Sequence, residues 1–128
     1  MKQNALLVDS GATDHILNDE RKFVSFQADY VPQNQYLDLA DGTKMCGIVK
    51  GKETAIVKIR DENGRQRTTT LTNVLFCPSF PYSIFSIHAA TSRSKGTTVS
   101  FGADSGVLRS SQGTNFPIRS KNGQYFLN

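Results

Sequence analysis

Asp9-Ser10-Gly11-Ala12, directly after the apolar run Ala5-Leu6-Leu7-Val8, is where this chain is best equipped for chemistry. The apolar run reads as a buried strand, and the small residues after it read as a tight loop that presents the Asp9 carboxylate at the strand's end. Gly11 lets backbone approach backbone with no Cβ between them. A carboxylate held in this way can take up and return protons, so acid–base catalysis is the chemistry the pattern could perform. The same tripeptide recurs at Asp104-Ser105-Gly106, but Phe101-Gly102-Ala103 leads into it instead of an apolar pair, and too little chain follows for a second lobe. That copy reads as a hairpin turn before Val107-Leu108. His15, His88, Cys46 and Cys77 stand at unrelated spacings, so no metal site is expected.

The elements that must position Asp9 read as β-structure. Short aliphatic and β-branched runs are punctuated by 10 Gly and 4 Pro, the pattern of an all-β domain. Asp41-Gly42 and Asn63-Gly64 mark two hairpins. Tyr36 to Leu39 and Met45 to Val49 flank the first, and Thr54 to Arg60 and Gln66 to Leu71 flank the second. The Thr68-Thr69-Thr70 triplet favours a strand because β-branching suits the pleat. Asn73 to Phe76 reads as a separate buried strand closed by Pro78 and Pro81, and Ile84 to Arg93 as one short helix with Ser83 as its N-cap. Strands at Thr97–Phe101, Val107–Ser110, Asn115–Ile118 and Tyr125–Leu127 complete a single domain over residues 1–128. Phe23 to Leu37 reads as loosely structured. No apolar stretch approaches the roughly 18 residues of a membrane span, and no leader pattern precedes Ala5, so a cytoplasmic protein is expected. In that compartment a disulfide between Cys46 and Cys77 is not expected. The net charge of +4 comes from basic residues spread along the chain, which reads as a solvated surface and not as a nucleic-acid patch.

The string Leu7-Val8-Asp9-Ser10-Gly11-Ala12-Thr13-Asp14-His15-Ile16 resembles the protease of copia-type retrotransposons, a relative of the retropepsins. Later segments follow in the order of that family: Thr72-Asn73-Val74-Leu75-Phe76-Cys77-Pro78, Ser83-Ile84-Phe85-Ser86-Ile87, Thr97 to Phe101 and Gly123 to Leu127. The resemblance implies a retropepsin-like acid-protease fold, all-β with one short helix, and an active site on the two-fold axis of a homodimer. It implies an aspartic endopeptidase that cuts its own polyprotein, needs no cofactor, and works in the cytoplasm or within virus-like particles. Asp9 would be catalytic, with Ser10, Gly11, Ala12 and Thr13 supporting its loop. Ser10 would reach across to the partner's loop, Gly11 would offer its carbonyl to substrate, and Ala12 would pack beneath. Asp14, Ile48, Ile84 and Phe85 are candidate substrate contacts, and Asp41 to Lys52 is a candidate flap with its tip at Gly42 or Gly47. One difference from the wider superfamily is Ser86, where retropepsins usually carry glycine after two apolar residues. Another is Ala5, where an aromatic is often found.

The implied reaction needs two facing carboxylates that share one proton, because at that separation both cannot ionise. A single usable Asp-Ser-Gly therefore requires a second chain, and the site becomes an isologous interface. His15 has no part in such a dyad and is expected to be a buried, hydrogen-bonded imidazole. The rival reading is a descendant without catalysis, a dimerisation or peptide-binding module or a domesticated protein that has kept the fold.

Overall fold

The apolar run ahead of Asp9 forms the strand around which the domain is built. A computed structural model describes residues 5–24, 36–38, 44–46 and 51–128, the backbone alone at 36–38, 44–46 and 51–53. Strand β1 (Leu6–Asp9) is followed by β2 (Ile16–Leu17) and a 3-10 turn (Glu20–Lys22) capped by the Asp19 carboxylate. Then come β3 (Tyr36–Asp38), β4 (Lys44–Cys46), β5 (Gly51–Arg60), β6 (Gln66–Phe76) and β7 (Ser83–Ser86). Helix α1 (Ile87–Arg93) leads to β8 (Thr98–Phe101), β9 (Ser105–Arg109), β10 (Asn115–Lys121) and β11 (Gln124–Leu127).

Nine of the described strands form one sheet in the order β5-β6-β2-β7-β1-β11-β10-β9-β8, and β3 and β4 pair separately. The sheet curls: Arg60 N–H donates to the Asn128 carbonyl and Glu62 N–H to that of Asn115, so the β5–β6 turn meets the last strands. β1 runs parallel to β7 with Asp9 opposite Ser86, and antiparallel to β11 with Leu6 opposite Leu127. Side chains alternate across a strand. Leu6 and Val8 enter the main core with Val57, Phe85, Ile118 and Leu127, whereas Leu7 packs against a second cluster. That cluster is Ala12, Ile16, Leu75, Cys77, Phe80 and Ile84. Asp9 follows Leu7 on the half-buried face, so the same alternation that buries the strand brings its last carboxylate to the surface.

The all-β expectation with one short helix is met. The helix boundary is corrected: Ser83 to Ser86 form a fully buried strand between β1 and β2, and α1 starts at Ile87 with Ser86 as its N-cap. An apolar run of this kind cannot be told from a buried helix segment by pattern alone. The two strands expected over Gln66 to Phe76 are one, and Asn73, at φ 53°, lies in the register shift between the Ala55–Leu71 and Glu53–Val74 pairs. The Asn63-Gly64 turn is present, with Gly64 at φ 80°. Its organiser is Asp61, whose Oδ1 accepts from Asn63 N (2.9 Å) and Arg65 N (3.0 Å) while Oδ2 accepts from Arg67 Nε (2.9 Å). Asp104 lies in the exposed β8–β9 turn closed by Gly102 N–H donating to the Ser105 carbonyl. Tyr36–Asp38 and Lys44–Cys46 pair around the Asp41-Gly42 signal. Residues 39–43 and 47–50, which hold both expected flap tips and Ile48, lie outside the described residues, as does most of Phe23 to Leu37.

Candidate active site

The loop after β1 folds back on its own carboxylate. Gly11 N–H donates to Asp9 Oδ1 at 2.7 Å, a charge-assisted contact that fixes the carboxylate's direction. Ser10, Gly11 and Thr13 are exposed around it, and Ala12 points down into the second cluster. Ser10 is exposed and makes no side-chain hydrogen bond among the described residues.

Ser86 fastens this loop from below. Fully buried, it donates from Oγ to the Ala12 carbonyl (2.7 Å) and accepts at Oγ from Ala89 N–H (3.0 Å). One hydroxyl thus satisfies a loop acceptor and one of the orphan amides at the start of α1. Its own N–H donates to His15 Nδ1 at 3.0 Å. That contact requires Nδ1 to be unprotonated, so the neutral ring carries its proton on Nε2. The ring sits against Phe85, centroids 4.9 Å apart, and is 3% exposed. Burial, and after it the nearby Arg93 guanidinium, push its pKa down from 6.5 to about 4, with Asp14 acting in the opposite sense. His15 therefore has the buried, hydrogen-bonded place expected of it. Its carbonyl accepts from Leu75 N–H, which continues the anchorage into β6.

Asp14 supports the wall of the loop. Its Oδ1 accepts from Arg93 Nη2 at 2.8 Å, and Arg93 Nη1 reaches the Thr72 carbonyl at 3.0 Å. The arginine at the end of α1 thereby ties the loop to β6. Below β2, Asn18 and Ser83 exchange hydrogen bonds, and Asn18 Nδ2 donates to the Phe80 carbonyl.

Of the sequence-predicted residues, Asp9, Ser10, Gly11, Ala12, Thr13 and Asp14 form one loop, and Ile84 and Phe85 lie directly beneath it. The last two, candidate substrate contacts, are buried at 6% and 3% exposure, and Phe85 also lines a cavity beside α1. Ile84 packs with Ala12 and Ile16, and Phe85 with His15, because β7 is a central strand with both faces covered. In the sequence Ser86 stands out only as a serine where the wider superfamily carries glycine, with no role attached to it, and Arg93 does not stand out. For Ser86 the available signal was a small hydroxyl residue between an apolar run and a helix; Arg93 carried none. Among the described residues no cluster of His, Cys, Asp and Glu could hold a metal, and no helix is long and apolar enough to cross a membrane. Cys77 is buried and free.

The family model of the Pol polyprotein β-barrel domain matches residues 6–97, from the first residue of β1 to just before β8. The chain belongs to that family. The match supports a retroelement Pol polyprotein origin, and β8 to β11 extend beyond the matched part. No curated protein and no solved structure matches the chain.

Proposed function

We propose that this Pol β-barrel domain is an aspartic endopeptidase that processes the polyprotein containing it, with Asp9 from each of two copies forming the catalytic pair. The observation that supports this reading best is the Asp9 loop. A half-buried carboxylate is held by Gly11 N–H at the end of a buried strand, beside an exposed Ser10 with no side-chain hydrogen bond among the described residues. Two such loops meeting on a two-fold axis would bring two carboxylates to one water. The ionised carboxylate removes a proton from the water as its oxygen attacks the peptide carbonyl. The protonated carboxyl donates to the carbonyl oxygen, giving a neutral diol. Collapse of the diol breaks the C–N bond as a proton passes to the leaving nitrogen. The resemblance to copia-type proteases and membership in a Pol polyprotein family support the substrate, a polypeptide bound extended so that backbone pairing holds it and side-chain pockets select it.

The test is cleavage of a polypeptide spanning the Pol domain junctions, followed by mass spectrometry. Wild-type chain should cut at discrete sites, and Asp9→Asn should not. Equal cleavage by Asp9→Asn places the chemistry elsewhere. No cleavage by a wild-type chain shown to be dimeric favours the binding-module reading.

A further inference from the structure

Strand β6 has an edge that no other strand covers among the described residues. Gln66 to Leu71 pair with β5 along one side, and β2 takes the opposite side only at Leu75 and Phe76. An unbroken run of β6, Arg67 to Thr72, lines a cavity of about 480 Å³. Neighbouring strand residues face opposite sides of a sheet, so a cavity touched by consecutive residues runs along the strand's edge, where main-chain N–H and C=O groups are reachable. The other walls include Ala89, Ala90 and Arg93 of α1, Leu108 of β9 and Phe116 of β10. Natural sheets blunt open edges with charge, proline or cover. Thr68-Thr69-Thr70 carries neither charge nor proline, and among the described residues the one main-chain group of this edge that is taken is the Thr72 carbonyl, by Arg93.

The shape and charge of the groove select its occupant. A second copy's β6 would bring its whole sheet against α1, whereas a single extended chain needs only the width of one strand. The charged residues lining the cavity are Arg67 and Arg93, with no carboxylate among them. Arg93 is engaged with Asp14 Oδ1 and the Thr72 carbonyl, so the guanidinium offered to an occupant is that of Arg67, half exposed and bonded to Asp61 through Nε alone. We infer that this groove is a second peptide site, in which one extended segment carrying an acidic residue adds to the open edge of β6 by main-chain pairing. His15 and Phe85 line its floor but none of Asp9 to Asp14 does, so binding there can be separated from cleavage at Asp9.

The probe is the acetylated, amidated hexapeptide Glu-Val-Thr-Val-Thr-Val, long enough to span about 20 Å of strand. It is titrated into the chain and followed by calorimetry and amide hydrogen exchange. Two further versions carry N-methyl groups on alternate amides, one in each frame. Saturable binding is expected, with exchange at amides of Gln66 to Thr72 slowed at least tenfold. One N-methyl frame should lose at least tenfold in affinity and the other less than threefold, because only one set of amides faces the protein edge. Replacing Glu by Lys should weaken binding severalfold. Ala90→Leu, which fills the groove from a helix position, should abolish it, with circular dichroism confirming the fold. Asp9→Asn should bind like the wild type. No binding at millimolar probe, equal loss in both N-methyl frames, equal affinity of the Lys peptide, protection mapped to the Asp9 loop, or loss of binding in Asp9→Asn would each overturn the inference. Unchanged binding by folded Ala90→Leu would do the same.

Discussion

His15 should make this fold sensitive to mild acid, in a pH window that belongs to histidine and not to the carboxylates. The geometry sets the sign: Nδ1 already accepts the Ser86 N–H, and a proton there would replace that hydrogen bond with a clash of donors. The folded pKa of about 4 lies below the unfolded 6.5, so the unfolded chain binds the proton more tightly. The contribution of the neutral ring is therefore complete above the unfolded pKa and is lost as pH falls toward the folded one. From pH 7 to pH 5 the loss comes to about 2 kcal/mol, approaching about 3 kcal/mol once both states are protonated. For a domain of this length the first figure corresponds to a fall in Tm of roughly 6–10 °C. Asp61 lies outside this window. Arg67 holds its carboxyl below the usual range, so its contribution is lost only as pH falls through that lowered value.

Urea denaturation at pH 7, 6 and 5, read by circular dichroism, measures the effect in the chain and in His15→Asn. The asparagine Oδ1 can accept from the Ser86 amide but does not titrate. The variant should be less stable at pH 7 by about 1–3 kcal/mol, for lost ring packing against Phe85. Between pH 7 and pH 5 its stability should be nearly flat, while that of the wild type falls. Parallel loss in both proteins would refute the assignment of this window to His15.

Asp104→Asn, in the exposed β8–β9 turn, should leave cleavage unchanged in the assay that Asp9→Asn fails; loss of activity in Asp104→Asn alone reverses the assignment. Ser86→Ala should cost about 1–3 kcal/mol in urea denaturation, because it strips the Ala12 carbonyl of its donor and α1 of its N-cap; a change within error would show that water replaces the hydroxyl. Specific activity should fall on dilution as the paired site dissociates, and a constant value at nanomolar enzyme with a monomeric mass by light scattering would exclude the two-chain mechanism. The pH–rate profile should be bell-shaped, with both limbs belonging to the Asp9 pair jointly. Loss of the alkaline limb in folded His15→Asn would bring the imidazole into the chemistry.

The fold class was legible because β-structure announces itself locally. Alternation in β5 and β9, the Asn63-Gly64 turn and the apolar approach to Asp9 each carry their own signal, and the structure agrees with them. Asn122-Gly123 carries the same kind of signal; it joins β10 to β11 with both residues at positive φ, 53° and 78°. What sequence could not give was tertiary. Ser83 to Ser86 is a strand only because β1 and β2 flank it, and the role of Asp61 exists only once Arg67 has been folded across the turn. The loop at Asp9 to Asp14 was legible as a unit, since its residues are contiguous. The residues that hold it, Ser86 and Arg93, lie more than seventy positions away and meet it only through the parallel β1–β7 pairing.

That pairing explains why a serine suits position 86, where glycine was the superfamily expectation. A glycine there would let the loop pass close to β7 but would leave the Ala12 carbonyl and the Ala89 amide without their buried partner. The hydroxyl of Ser86 bonds both, and its backbone amide is in turn held by His15, so loop, strand and helix start share one buried junction. A half-satisfied junction of this kind is worse than an apolar one, because each stranded group keeps its full desolvation penalty. Ser86 and His15 should therefore act as a unit. A double-mutant cycle of Ser86→Ala and His15→Asn should show coupling of about 1 kcal/mol or more, and strictly additive losses would mean that the two contacts hold the Asp9 loop independently.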